Sequence, residues 1–311
     1  MLSVNGKTEQ TNISNPLREL ANKLANKKHK NNIDNIFING EDTNIPNNLP
    51  TAIVGDKGSG KSTLIKAIME GANKEGLFKH IYFIYSSLSW DEELPPYVIK
   101  IDINNCDEFL ANLFEIKTIF NSYVNFFEKV NKKDIDDDNA VLDKFLSQCD
   151  NNIIKYNQDI VNSGMSDHVI IDKIIDTGEK IINKFTKDFF IGNVKVDGLR
   201  KDERDAIIID DIAIAAKVLF RQIKDNPIYE YLTLTRHMRL FVLFAGQQID
   251  QIPKAIRREI MCWLISKNTN IELLKGVLQN RVLNEIENKQ ALLQKYEFVL
   301  YNCASGYLGV L

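Results

Sequence analysis

The chain has 311 residues, 44% hydrophobic and 26% charged, the balance of an ordinary globular protein with length for about two domains. Its formal net charge of −3 excludes a global basic field, so any nucleic-acid contact must come from local clusters. Cys106, Cys149, Cys262 and Cys303 form no C-x-x-C pair, which argues against a zinc site or a disulfide framework and suits a reducing cytosol. Nothing resembles a signal peptide, and no apolar run approaches the roughly 18 residues a membrane span needs.

Residues 1–48 are polar and asparagine-rich and read as an N-terminal extension. Spacing of Leu17, Leu20, Ala21 and Leu24 predicts a helix from Pro16 to about Lys28, ending in a basic run, Lys27-Lys28-His29-Lys30, that reads first as a solvated tail and second as a DNA-touching arm. Ile36-Phe37-Ile38 suggests a short strand before a turn at Asn39-Gly40.

Residues 49–103 carry the first strong signal. Thr51-Ala52-Ile53-Val54 suits a buried strand, and it runs into Gly55-Asp56-Lys57-Gly58-Ser59-Gly60-Lys61-Ser62-Thr63, which matches G-x-x-x-x-G-K-[ST], the P-loop or Walker A pattern. Glycines at 55, 58 and 60 let backbone N–H groups curl around phosphate oxygens where a Cβ would clash. The helix that follows aims unsatisfied N–H groups and its positive dipole end at the same anion. Lys61 supplies a compact charge for the β- and γ-phosphates, and the Ser62 hydroxyl a ligand for Mg²⁺. A nucleoside triphosphate is the expected ligand. Gly71 and Gly76 are read as the exit of that helix. His80–Tyr85 and Tyr97–Ile101 then read as further strands, the second after the break at Pro95-Pro96.

From 104 to 201 the pattern turns helical. Phe109, Leu110, Leu113, Phe114, Ile116 and Phe120 recur at roughly helical spacing, as do Ile170, Ile171, Ile174, Ile175, Ile181, Ile182 and Phe185. This reads as a mainly helical insertion on an α/β core, with the acidic run Asp134–Asp138 as a solvated turn. Asn131-Lys132-Lys133-Asp134 spells the N-K-x-D by which GTPases recognise guanine. It follows an amphipathic helix with no preceding D-x-x-G, and is read as chance.

Residues 202–270 carry the second signal. Asp205-Ala206-Ile207-Ile208-Ile209-Asp210-Asp211 is an apolar strand ending in acids, as Walker B requires. Asp210 would hold Mg²⁺, and Asp211 would orient or deprotonate the attacking water. The bland alternative is that both acids cap a helix over 212–224. Leu240–Gly246 is another buried strand, with the Gln247 amide past its tip, placed to sense the γ-phosphate. Arg236, His237 and Arg239 precede this strand, and Lys254, Arg257 and Arg258 follow Pro253. In a ring, Arg236, or secondarily Arg257, would reach a neighbour's γ-phosphate as an arginine finger. Residues 271–311 read as a C-terminal helix over 271–295 and a last strand at Phe298–Tyr301.

Walker A, Walker B and Gln247, in that order, resemble the additional-strand branch of P-loop ATPases. The finer resemblance is to the poxvirus-type genome-packaging ATPases of large DNA viruses, within the FtsK–HerA superfamily. It rests on Gly58–Ser62, Lys79–Phe83, Ile208–Asp211, Arg236-His237, Gln247, Pro253 and Arg257, and covers residues 50–85 and 203–270. It implies an α/β fold with a mainly parallel sheet, forming a homo-oligomeric ring that hydrolyses ATP with Mg²⁺ to pump double-stranded DNA. A capsid or portal protein is the implied further partner, and the host-cell cytoplasm at the assembly site the implied location. The runner-up within the class is another FtsK–HerA-type DNA pump or helicase. A small-molecule kinase is the more distant alternative, disfavoured because Arg200 is the only arginine in the insertion. A nucleotide-gated scaffold would not need Asp210-Asp211, and no L-S-G-G-Q signature supports a transport ATPase.

Overall fold

The computed structural model describes residues 34–85, 94–130, 141–200, 204–219 and 240–311. The chain opens with β1 (Asn35–Ile38), β2 (Glu41–Pro46) and β3 (Thr51–Val54), then α1 (Lys61–Lys74), β4 (His80–Tyr85) and β5 (Val98–Asp102). A helical stretch follows: α2 (Cys106–Val130), α3 (Val141–Gln148), α4 (Asn151–Tyr156), α5 (Gln158–Val161) and α6 (Asp167–Phe185). After it come β6 (Phe189–Ile191), β7 (Val194–Val196), β8 (Asp205–Ile209), α7 (Ile212–Leu219) and β9 (Leu240–Gly246). The chain ends through α8 (Lys254–Glu259), β10 (Cys262–Ser266), α9 (Asn280–Leu292), β11 (Phe298–Asn302) and β12 (Tyr307–Val310). The residues of the basic run, the N-K-x-D spelling, the acidic run and Arg236-His237 lie outside the described residues.

β3, β8, β9 and β10 are buried at every position, and β4 at all but its last. A strand without period-two alternation must be covered on both faces, which is the condition of a parallel sheet between helices. The eight described strands of the main sheet run β12-β11-β10-β3-β9-β8-β4-β5. From β10 to β5 every pairing is parallel, while β11 and β12 add an antiparallel edge. β9 and β8 stand between β3 and its successor β4, so the crossover through α1 skips two strands. That insertion is the additional-strand arrangement. Ile53, Phe83, Ile208, Phe241 and Leu264 pack with Ile65, Ile68 and Met69 of α1 in one apolar core.

The structure amends the local reading at four places. Gly71 does not mark the end of α1, which continues to Lys74. A Cβ there would collide with the Phe37 carbonyl oxygen, so Gly71 lets the helix lie against β1. Gly76, at φ +62, follows the helix C-cap, as expected. β2 is polar and shows no apolar run; it forms because Asn39 (φ 54) and Gly40 (φ 86) turn the chain back onto β1. The region read as mainly helical also contains the hairpin β6–β7, and β12 lies beyond the strand expected to be last.

By contact density the described chain divides into two compact units, one of residues 34–114, 190–197 and 204–311, the other of 115–189 and 198–200. The second is helical with an aromatic core of Tyr123, Phe126, Phe127 and Phe145. Gly178 of α6 lies against the Tyr123 ring, and Asn157 Nδ2 donates to the Tyr123 hydroxyl at 2.6 Å. All four cysteines are free thiols, three of them buried. No helix among the described residues is long and apolar enough to cross a membrane.

Candidate active site

The turn from β3 to α1 is built to receive an anion. Gly58 (φ +80) and Gly60 (φ +96) hold left-handed backbone that other residues rarely adopt. Among the described residues, the N–H groups of Lys57, Gly58 and Gly60 have no protein acceptor. No side chain caps α1 and no acid sits in its first turn, so its positive end is uncompensated. The Ser59 hydroxyl is buried without a partner. Free donors, a bare helix start and an orphaned hydroxyl together fit a bound phosphate chain.

Gly55 plays a different part from the one its motif position suggests. Its N–H donates to the Gly246 carbonyl at 3.1 Å, tying β3 to β9, so it is not offered to a phosphate. Its missing side chain is a matter of packing: a Cβ there would lie 2.5 Å from Ser266 Oγ. Ser266 belongs to a buried polar floor unforeseen from sequence. Its hydroxyl pairs with Thr269 Oγ1 at 3.1 Å, Thr269 donates to the Val54 carbonyl, and Gln290 Nε2 donates to the carbonyls of both Ser266 and Thr269.

Lys61 Nζ donates to the carbonyl of Gly55 and, at 3.0 Å, to that of Asp56. Burial pushes its pKa below the usual lysine value, opposed by the charges of Asp210, Asp56 and Asp211. The tip of β8 therefore acts electrostatically on the phosphate-loop lysine. Sheet geometry explains why. Val54 pairs with Gly246 and Ile209 with Phe244, so β3, β9 and β8 end side by side. Two strand spacings separate Gly55 from Asp210, about 10 Å, a gap that a triphosphate and a cation can span.

Asp210 is buried, and its N–H donates to the Ile84 carbonyl at 2.9 Å. Asp211 is half-buried with φ 53, a conformation aspartate tolerates better than most residues. Its backbone carbonyl accepts the N–H groups of Ile214 and Ala215 and opens α7. The capping reading thus holds for the backbone of Asp211, and its carboxylate takes no part in it. Gln247 is exposed past the end of β9, and its N–H donates to Gln251 Oε1 at 2.8 Å. Gln251 also accepts from the Gln248 N–H at 3.2 Å and so fixes this loop, a role with no sequence signal beyond an amide four residues on. Arg257 Nη1 donates to the Leu273 carbonyl at 3.2 Å within the same chain. Lys57, Ser62 and Thr63 are exposed on the loop and first turn, as is Asp56.

Among the described residues no group of three His, Cys, Asp or Glu side chains could hold a metal by itself. Ser62 and Asp210 would offer only a sparse pair of oxygens, which suits Mg²⁺, an ion that keeps waters and borrows phosphate oxygens.

No family model and no curated protein matches the chain. Solved structures are similar to it. The genome packaging NTPase B204 from Sulfolobus turreted icosahedral virus 2, in complex with ATP-gammaS, is 12% identical with a TM-score of 0.44, over 86% of this chain and 98% of that one. The pCW3 conjugation coupling protein TcpA is 13% identical with a TM-score of 0.44, over 90% of this chain and 66% of that one. The cytoplasmic domain of the Thermomonospora curvata Type VII secretion ATPase EccC is 12% identical with a TM-score of 0.41, over 96% of this chain and 30% of that one. The phosphate loop between β3 and α1 and the strand order β3-β9-β8-β4 give the chain the fold of a P-loop NTPase. At these identities and TM-scores the likenesses say nothing of its role.

Proposed function

We propose that the chain is an ATP-driven translocase of double-stranded DNA, a genome-packaging ATPase of the FtsK–HerA superfamily and poxvirus type. The observation that carries the nucleotide chemistry is the adjacency of three strand ends, bearing the phosphate loop, Gln247 and Asp210-Asp211 in one row. Lys61 and the loop amides hold the β- and γ-phosphates, while Ser62 and Asp210 hold Mg²⁺. The ion, when bound, supplies positive charge to the phosphate oxygens. Asp211 accepts a hydrogen bond from the attacking water and aligns it, and Gln247 contacts the γ-phosphate from the next strand. A planar, permanently charged arginine from a neighbouring copy, Arg236 or Arg257, completes the charge stabilisation in a homo-oligomeric ring. The spacing of Arg236-His237, Gln247, Pro253 and Arg257 supports the packaging reading over a generic NTPase. On that reading the ring works in the host cytoplasm against a capsid or portal protein.

The net charge of −3 requires DNA contact through local basic clusters, chiefly to phosphates, so binding is salt-sensitive and sequence-independent. The test is ATP hydrolysis titrated with duplex DNA at low salt. Stimulation that fades as salt rises supports the translocase. An unchanged rate at every DNA concentration rejects it and leaves a P-loop hydrolase of another kind.

A further inference from the structure

Beside the phosphate loop lies a cavity of about 360 Å³, within the usual range of small-molecule sites, about 300–1,000 Å³. It begins at Gly60, follows Thr63, Leu64 and Ala67 along the first two turns of α1, and is closed by Tyr296 and Phe298. Leu311 also lines it, and among the described lining residues only Thr63 and Tyr296 bring hydrogen-bonding side chains. Tyr296 is held unusually for a bulky residue, with a left-handed backbone at φ 74. Its ring packs 3.2 Å from where a Cβ on Gly60 would stand, and it is 59% exposed. Lys295 Nζ lies 4.7 Å from the ring centroid, a cation–π contact that restrains the ring. A strained, largely exposed aromatic over a mostly apolar slot contributes little to folding, yet it presents a flat face beside the place where phosphates bind.

We infer that this cavity is the nucleobase site, in which Tyr296 stacks on a purine with little regard to which purine it is. The inference rests on the phosphate loop holding a nucleotide. Telling adenine from guanine requires fixed donors and acceptors at the base edge, and two hydroxyls that can each donate or accept supply no such code. Stacking rewards ring area instead, and every base has a π-face. The expected substrates are purine nucleoside triphosphates as a class, with ATP and GTP used comparably and CTP poorly.

The test measures binding of fluorescent mant-ATP, mant-GTP and mant-CTP to the full chain, with inorganic tripolyphosphate as competitor. Tyr296→Asn removes the ring while keeping a residue that tolerates left-handed backbone, and Ala67→Phe fills the slot from the helix side. Both variants should weaken mant-ATP and mant-GTP roughly 5- to 100-fold and leave tripolyphosphate competition unchanged, while Tyr296→Phe should bind like the wild type. Wild-type affinities for ATP and GTP should agree within about fivefold, since no base-edge contact separates them. Unchanged mant-ATP affinity in both Tyr296→Asn and Ala67→Phe overturns the base site while the phosphate loop stands. A preference for ATP over GTP above about 100-fold, the discrimination of a site that reads base edges, overturns the lack of selectivity. Failure of tripolyphosphate to compete in the wild type indicts the phosphate loop itself.

Discussion

The sheet unit and the helical unit use comparable materials, buried aliphatics and aromatics, to different ends. In the sheet unit, β3, β9 and β8 run parallel, so the loops after all three open on the same edge. A parallel sheet therefore gathers residues distant in sequence without any of them packing against each other first. In the helical unit, Tyr123, Phe126, Phe127 and Phe145 interlock around Gly178 and Asn157, and this aromatic core holds the helices together. Buried apolar surface stabilises both; direction along parallel strands is what makes one of them a site.

The sharpest way to break this contrast is at Lys61. Lys61→Ala should lower ATP hydrolysis by at least about 10²-fold, the usual loss when a preorganised charge donor is removed. Lys180→Ala, which removes an exposed ion pair with Asp176 in α6, should leave phosphate release within about twofold, because such surface pairs contribute little. Equal losses in the two variants would erase the distinction.

Asp211→Asn should follow, with turnover reduced by about 10²-fold and mant-ATP affinity nearly unchanged. Asparagine tolerates φ 53, so the loop should survive and the defect be chemical. Full turnover in that variant would remove Asp211 from the mechanism.

The two helix glycines that meet close neighbours compare the units as packings. Alanine gains about 1 kcal/mol over glycine in a helix, but overpacking costs roughly 1–3 kcal/mol. At Gly71 the obstacle is the Phe37 carbonyl, a backbone atom that cannot swing aside, so Gly71→Ala should lower stability by about 2 kcal/mol. At Gly178 the obstacle is the Tyr123 ring, a side chain that can shift, so the net loss should be nearer 1 kcal/mol. Urea midpoints at constant slope would check the order, and a more damaging Gly178→Ala would reverse it.

The smallest effect concerns pH. Burial depresses the Lys61 pKa in the folded state, so above that value the unfolded chain binds more protons than the folded one. Stability should rise with pH between the depressed folded value and the ordinary unfolded value of 10.5. At neutral pH the charged lysine is a net cost to folding. The midpoint difference between wild type and Lys61→Met should therefore shift in favour of the wild type as pH rises from about 8 to about 10, toward the ordinary lysine pKa. A constant difference would mean that Lys61 is not desolvated.

Much of the sheet unit was legible because its signals are local. A run such as Leu240–Gly246 declares a strand buried on both faces, and the phosphate loop declares itself by spacing. The misreadings share one physical cause. Gly71 looked like a helix end because a glycine's reason lies in what approaches it, here a strand some thirty residues upstream. Gly55 looked like a phosphate donor because its bond to Gly246 depends on which strand became its neighbour. β2 and β12 are strands only by pairing, and Gln251 and Tyr296 matter only through contacts that no periodicity encodes.

By itself the sequence determined which segments would be buried and what chemistry each could offer, since burial follows from side-chain hydrophobicity and the motif from residue type and spacing. Tertiary structure decided what stands beside what. The placement of β9 and β8 between β3 and β4 brings Asp210 and Asp211 within electrostatic reach of Lys61. The turn before β11 sets Tyr296 against Gly60. Strand order is a global minimum over competing pairings of similar apolar runs, and no local stretch of chain contains the information to choose among them.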